Sequence, residues 1–130
     1  MQVGGELVLV VDDEADLLFT VGLALELAGY RVIQATNGED ALVAVDEHRP
    51  DIVVLDLRLP GIDGWEVLRR LGDGTGHPRV PVVLLSAQVD AATAARAVDL
   101  GCHAYLAKPF RPAELTRVLR SVLAGGEQPV

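Results

Sequence analysis

Residues 51 to 64 read DIVVLDLRLPGIDG. Ile52 to Leu55 are four apolar side chains in a row, three of them β-branched, with no polar position left for a wet side. Such a run reads as a strand covered on both faces, as in a parallel sheet. Asp56 ends the run, Pro60 and Gly61 interrupt the chain, and Asp63 and Glu66 then have the spacing of a capping box. A helix is therefore expected over about 64–71. Strand, acidic residue, turn and helix make one β-α unit.

Moving outward, the same unit recurs. Apolar, β-branched runs occupy Leu7 to Val11, Arg31 to Ala35, Val80 to Leu85 and Ala104 to Ala107. Helical spacing of threes and fours joins Leu17, Leu18, Val21, Leu25 and Ala28, with Gly29 as a stop. A second stripe joins Leu115, Val118, Leu119, Val122 and Leu123, and Pro112 suits a first helical turn. Two further helices are expected over about 39–47, started by Asn37 or Gly38, and over 90–100, with Asp90 as N-cap and Gly101 as stop. That last helix offers mainly Ala91, Ala94, Ala95 and Val98 to a core, so it should be the most loosely held. Five β-α units with right-handed crossovers give an α/β fold, a single doubly wound (βα)5 domain with a flavodoxin-like five-stranded parallel sheet in the order 2-1-3-4-5. The domain is expected to span 1–124, with 125–130 a flexible tail and Gly72, Gly74, Gly76 and Pro78 forming a flexible loop.

Composition narrows the function. The chain has 130 residues, half of them hydrophobic, and a net charge of -8. One core fills without staples, and so acidic a surface argues against direct contact with nucleic acid. No run approaches the ~18 apolar residues of a membrane span, and no export signal is visible. Cys102 is the single cysteine, so no intramolecular disulfide forms and a reducing, cytoplasmic setting is expected. His48, His77 and His103 lack metal-ligand spacing.

The chemistry collects at the strand ends. In an open parallel sheet, ligands bind beyond the carboxyl ends of the strands. Asp12 and Asp13 follow the first strand, Asp56 the third, Ser86 the fourth and Lys108 the fifth. Acidic residues after strands also serve as helix caps, and Asp12, Asp13 or Glu14 could fill that role alone. Crowded carboxylates, however, raise one another's pKa unless a cation holds them. Mg²⁺ or Mn²⁺ with oxygen ligands would do so. A carboxylate can also act as nucleophile toward phosphorus, with Lys108 and Ser86 offering a charge and a hydroxyl to the transferred oxygens.

These residues lie in the motifs VLVVDDEADL (8–17), DIVVLDLRLPGIDG (51–64), PVVLLSA (81–87) and GCHAYLAKPF (101–110). Asp56 stands 43 residues after Asp13, Ser86 30 after Asp56, and Lys108 22 after Ser86. On these motifs and spacings the chain resembles the receiver domain of bacterial two-component response regulators, from about residue 7 to 124. The resemblance implies that Asp56 is the phosphoacceptor and that Asp13 and Asp56 ligate Mg²⁺ directly. Asp12 would act through water, and the backbone carbonyl of Arg58 would be a further ligand. It implies that Ser86 and Tyr105 are switch residues, that Lys108 contacts the phosphoryl group, and that the bond before Pro109 is cis. Arg58 and Gln88 are expected to set the lifetime of the phosphoryl group. The implied partners are a sensor histidine kinase or histidine phosphotransfer protein and an output domain or protein. A phosphorylation-dependent homodimer would also be compatible. The domain would be a signalling switch that catalyses only its own phosphorylation and dephosphorylation.

Two other classes fit less well. A metal-dependent phosphotransferase acting on small molecules would want a second acid/base carboxylate beside Asp56, where Arg58 stands, and a cap for which there is no insertion. A flavodoxin-like cofactor binder would want a hydroxyl- or glycine-rich phosphate loop where Asp12, Asp13 and Glu14 stand. Trp65 and Phe110 are expected to serve packing.

Overall fold

The structure is a computed structural model that describes residues 5–88 and 90–125. The strands are β1 (Leu7–Val11), β2 (Arg31–Ala35), β3 (Ile52–Asp56), β4 (Val82–Ser86) and β5 (Ala104–Ala107). They alternate with α1 (Ala15–Leu27), α2 (Gly38–His48), α3 (Gly64–Arg70), α4 (Ala91–Asp99) and α5 (Pro112–Leu123). All pairings are parallel, and the order is β2-β1-β3-β4-β5. This is the expected flavodoxin-like arrangement. The tail expected over 125–130 lies, after Gly125, outside the described residues.

Burial along the sheet follows the sequence pattern. Every residue of β3 and β4 is buried, whereas the edge strands β2 and β5 have partly open positions. Leu18, Val21 and Leu25 of α1 and Leu115, Val118, Leu119 and Val122 of α5 cover one face of the sheet. Ala41 and Val45 of α2, Val67 and Leu68 of α3, and Ala97 of α4 cover the other. A fully buried Leu or Val here contributes about 1.5–3 kcal/mol relative to exposure.

Three local expectations are corrected. Strand β4 begins at Val82 rather than Val80, because Pro81 has no N–H to enter the ladder, although its carbonyl still accepts from Val53. At α3, Asp63 accepts the Glu66 N–H at 2.9 Å, but the Glu66 carboxylate turns to Arg69 and Arg70 instead of closing a box. On α4 the buried residue is Ala97, while Val98 is exposed. The helix is rotated relative to the face chosen from sequence. It remains sparsely anchored, held by Ala97, the half-buried Leu100, and the Arg96 guanidinium stacked over Trp65 of α3 at 4.4 Å.

The loop after α3 is braced. Asp73 N–H donates to the His77 carbonyl at 2.8 Å, and Gly72 bridges to Pro78. Cys102 is buried, and loss of solvent pushes its thiol up to about 12.

Candidate functional site

Asp12 directly follows β1, Asp56 and Ser86 are the last residues of β3 and β4, and Lys108 directly follows β5. Because the four strands run one way, their ends share one rim. The Lys108 backbone N–H donates to the Ser86 carbonyl at 2.8 Å, which ties the β5 end to the β4 end. The Lys108–Pro109 peptide is cis.

From there the Lys108 ammonium reaches back across the rim. Its Nζ lies 2.8 Å from Asp12 Oδ2, 3.0 Å from Asp56 Oδ2 and 3.2 Å from Glu14 Oε1. The Asp12 side chain is fully buried and that of Asp56 is 6% exposed. Their outer oxygens are committed to local backbone: Asp12 Oδ1 accepts the Glu14 N–H at 2.9 Å and Asp56 Oδ1 the Arg58 N–H at 3.1 Å. Burial holds the Asp12 carboxyl above its usual range, against the opposing pull of the Lys108 hydrogen bond. Burial also works against the Lys108 charge, but the bonds to Asp12 and Asp56 outweigh it, so the ammonium stays protonated well above its usual range.

Asp13 is exposed beside this pair, and Asp12, Asp13 and Asp56 each offer one oxygen, all within 4.8 Å of one another. Counting Glu14, four carboxylates face one ammonium, leaving about three uncompensated negative charges at the rim. Oxygens around an octahedral Mg²⁺ at ~2.1 Å are roughly 3–4 Å apart. Both the spacing and the charge fit a small divalent cation, which Asp12, Asp13 and Asp56 could hold.

Above the carboxylates opens a cleft of about 810 Å³, lined by Asp13, Glu14, Asp56, Arg58, Ser86, Gln88, Trp65, Thr93 and Lys108 among others. Ser86 Oγ accepts the Gln88 N–H at 3.0 Å, so its hydroxyl proton is free to donate into the cleft. Gly64, the first residue of α3, makes the site compact. A Cβ there would collide with the Asp56 carbonyl oxygen and come within 2.6 Å of Leu57 Cα. Only glycine lets α3 sit directly on the backbone that carries Asp56.

The site residues read from the sequence thus converge, with one exception. Tyr105 is absent from the cleft lining; its ring packs on the α2/α3/α4 side, and its hydroxyl is buried without a hydrogen-bond partner. Sequence reading missed two members. Glu14 reads from sequence as a cap candidate; it stands at the N-cap of α1, but its side chain makes no cap bond and pairs with Lys108 instead. Trp65, expected to serve packing, also forms a wall of the cleft. Neither has a local signal, since Glu14 depends on where β5 brings Lys108 and Trp65 on how the cleft closes around distant Ser86 and Thr93.

The profile of the family described as response regulator receiver domain matches residues 8–120. The phosphate regulon transcriptional regulatory protein PhoB of Pseudomonas aeruginosa is 35% identical over 119 residues, covering 92% of this chain and 52% of its own length. The transcriptional regulatory protein KdpE of Mycobacterium tuberculosis is 42% identical, over 95% of this chain and 56% of its own. The chain therefore spans about half the length of the curated relatives it matches. Among solved structures, a putative response regulator from Chloroflexus aurantiacus superposes with a TM-score of 0.83 at 34% identity, covering 92% of this chain and 98% of that one. Strand order, the rim of carboxylates and the match across nearly the whole described chain agree, and the chain belongs to the response regulator receiver domain family.

Proposed function

We propose that this chain is the phosphoacceptor switch of a two-component phosphorelay, modified on Asp56. The observation that carries the reading is the Lys108 ammonium bridging the buried carboxylates of Asp12 and Asp56, with Asp13 beside them. A phosphorylated histidine of a sensor kinase or phosphotransfer protein is the donor. The Asp56 carboxylate attacks phosphorus in line, the P–N bond breaks, and its electron pair leaves with the imidazole. Lys108 and the Ser86 hydroxyl then hold oxygens of the new phosphoryl group. Asp12, Asp13, Asp56 and the carbonyl of Arg58 would hold Mg²⁺ or Mn²⁺, which supplies positive charge to the transferring oxygens when bound.

Closure of Ser86 and Lys108 on the phosphoryl group shifts the population of α4, and with it Tyr105 on the α4-β5-α5 face. The sparse anchoring of α4 makes it the element that moves at least cost. A coupling of ~1–3 kcal/mol is enough for a useful switch. The output is delivered by a separate domain or protein reading that face. Apart from transferring and losing its own phosphoryl group the domain turns nothing over, and no helix among the described residues is long and apolar enough to cross a membrane. Its place is the cytoplasm. Arg58 and Gln88, both exposed at the cleft, tune hydrolysis of the aspartyl phosphate.

Acetyl phosphate with Mg²⁺, read by intact mass, tests this. The wild type should gain one phosphoryl group and Asp56→Asn none. Label persisting in Asp56→Asn would move the acceptor elsewhere. Arg58→Ala and Gln88→Ala should each change the rate of phosphate loss, and unchanged rates in both would remove their assigned role.

A further inference from the structure

Three of the five large hydrophobic side chains left exposed among the described residues lie on α1: Phe19 at 72%, Leu23 at 49% and Leu27 at 80%. Their spacing of four places them in one stripe, on the side of the helix opposite the buried Leu18, Val21 and Leu25. A helix that is apolar on both sides is normally covered on both. Here only one side meets the sheet.

We propose that this stripe is a docking surface for a second copy of this chain, with the two α1 helices packed antiparallel about Leu23. Charge favours this direction. Helix α1 carries Asp16 and Glu26 and no Lys or Arg. Parallel pairing would set Asp16 against Asp16 and Glu26 against Glu26. Antiparallel pairing sets Glu26 against Thr20 and brings Asp16 toward Arg31 of the second copy, an exposed cation at the start of β2, while the helix dipoles oppose favourably.

Shape favours it too. Phe19 of each copy meets Leu27 of the other, and Leu23 meets itself. Beside the stripe runs a groove of about 300 Å³ between α1 and β2, lined by Ala15, Gly22 and Gln34 among others. Gly22 is its low point: a Cβ there would lie 2.8 Å from Gln34 Nε2, which donates to the Leu18 carbonyl at 2.9 Å. The groove has room for a leucine side chain from the second copy. The three side chains expose roughly 350 Å² per copy. With a polar rim the pair reaches about 1,200 Å², the lower end of specific interfaces, so the dimer is weak, with a dissociation constant of about 10–100 µM. The stripe lies by edge strand β2, at the opposite edge of the sheet from β5, so the dimer leaves the α4-β5-α5 face open and does not require modification of Asp56.

Sedimentation equilibrium over about 10–500 µM tests this. The wild type and Asp56→Asn should dimerise alike, which separates this inference from the phosphoacceptor reading. The exposed double variant Phe19→Ser/Leu27→Ser, with its fold checked by circular dichroism, should bind itself about tenfold or more weakly. Under mild oxidation Leu23→Cys should form a disulfide-linked dimer, while Val43→Cys, exposed on α2, should not. A wild type that stays monomeric throughout, a dimer unaffected by the double variant, or failure of Leu23→Cys to crosslink would each overturn the proposal.

Discussion

Replacing Lys108 with methionine keeps the apolar stem and removes only the charge that Asp12 and Asp56 share. Both carboxylates are buried, and Nζ sits 2.8 and 3.0 Å from them. Stranding a buried partner costs about 3–5 kcal/mol. The loss has a ceiling, because the stranded carboxyl can take a proton. From the ordinary Asp value of 3.8, neutralising one group costs about 4 kcal/mol at neutral pH and under 2 near pH 5. The sign follows from the direction at Asp12, whose folded value is raised. Between 3.8 and that raised value the folded variant binds more protons than the unfolded chain, so its stability falls as pH rises. For 130 residues, each kcal/mol moves the melting point by about 4 °C. Thermal unfolding by circular dichroism in a chelator should therefore show Lys108→Met melting about 12–16 °C below wild type at neutral pH. Near pH 5 the gap should be less than half as large. Millimolar Mg²⁺ should narrow the gap at neutral pH. A variant melting within about 2 °C of wild type, or a deficit equal at both pH values, would refute the reasoning.

Three other predictions follow from single observations. Gly64→Ala must push α3 off the Asp56 and Leu57 backbone; it should cost about 1–3 kcal/mol by denaturant unfolding and slow labelling by acetyl phosphate, since the acceptor moves with its strand. Tyr105→Phe deletes a buried hydroxyl that has no partner, so the same measurement should show the variant at least as stable as wild type, by up to ~1 kcal/mol. Cys102, with its thiol pushed up to about 12 from 9.0, should resist alkylation near pH 8 until the protein is unfolded; the folded state keeps its proton where the unfolded chain has lost it, so this contribution is complete below 9.0 and is lost as pH rises toward 12.

How much of this could be read from the residues depends on contrast. Ile52 to Leu55 have no polar member, so β3 and its double-sided cover are plain in the sequence, and Asp56 stands out at the end of the run. The same logic placed Ser86 and Lys108, because parallel strands put their ends on one rim. Helix α4 lacked that contrast. Alanines at five of its nine positions leave its phase undetermined, so a face of Ala91, Ala94, Ala95 and Val98 reads as well as the one that buries Ala97. Tyr105 was legible as an aromatic on an edge strand, but whether its hydroxyl met water depended on the packing around it, which hides it. Glu14 and Trp65 were invisible as site members for a related reason. Glu14 acquires its role from Lys108, far along the chain, and Trp65 from the fold that sets it across the cleft from Ser86 and Thr93.

On the proposed function a divalent cation would hold the rim carboxylates together and ready Asp56. Calorimetric titration with Mg²⁺, wild type against Asp13→Asn, tests it most directly. The account predicts saturable uptake at millimolar concentration by the wild type and affinity about tenfold or more weaker in the variant. Absence of uptake by the wild type, or equal affinity in the two, would contradict it.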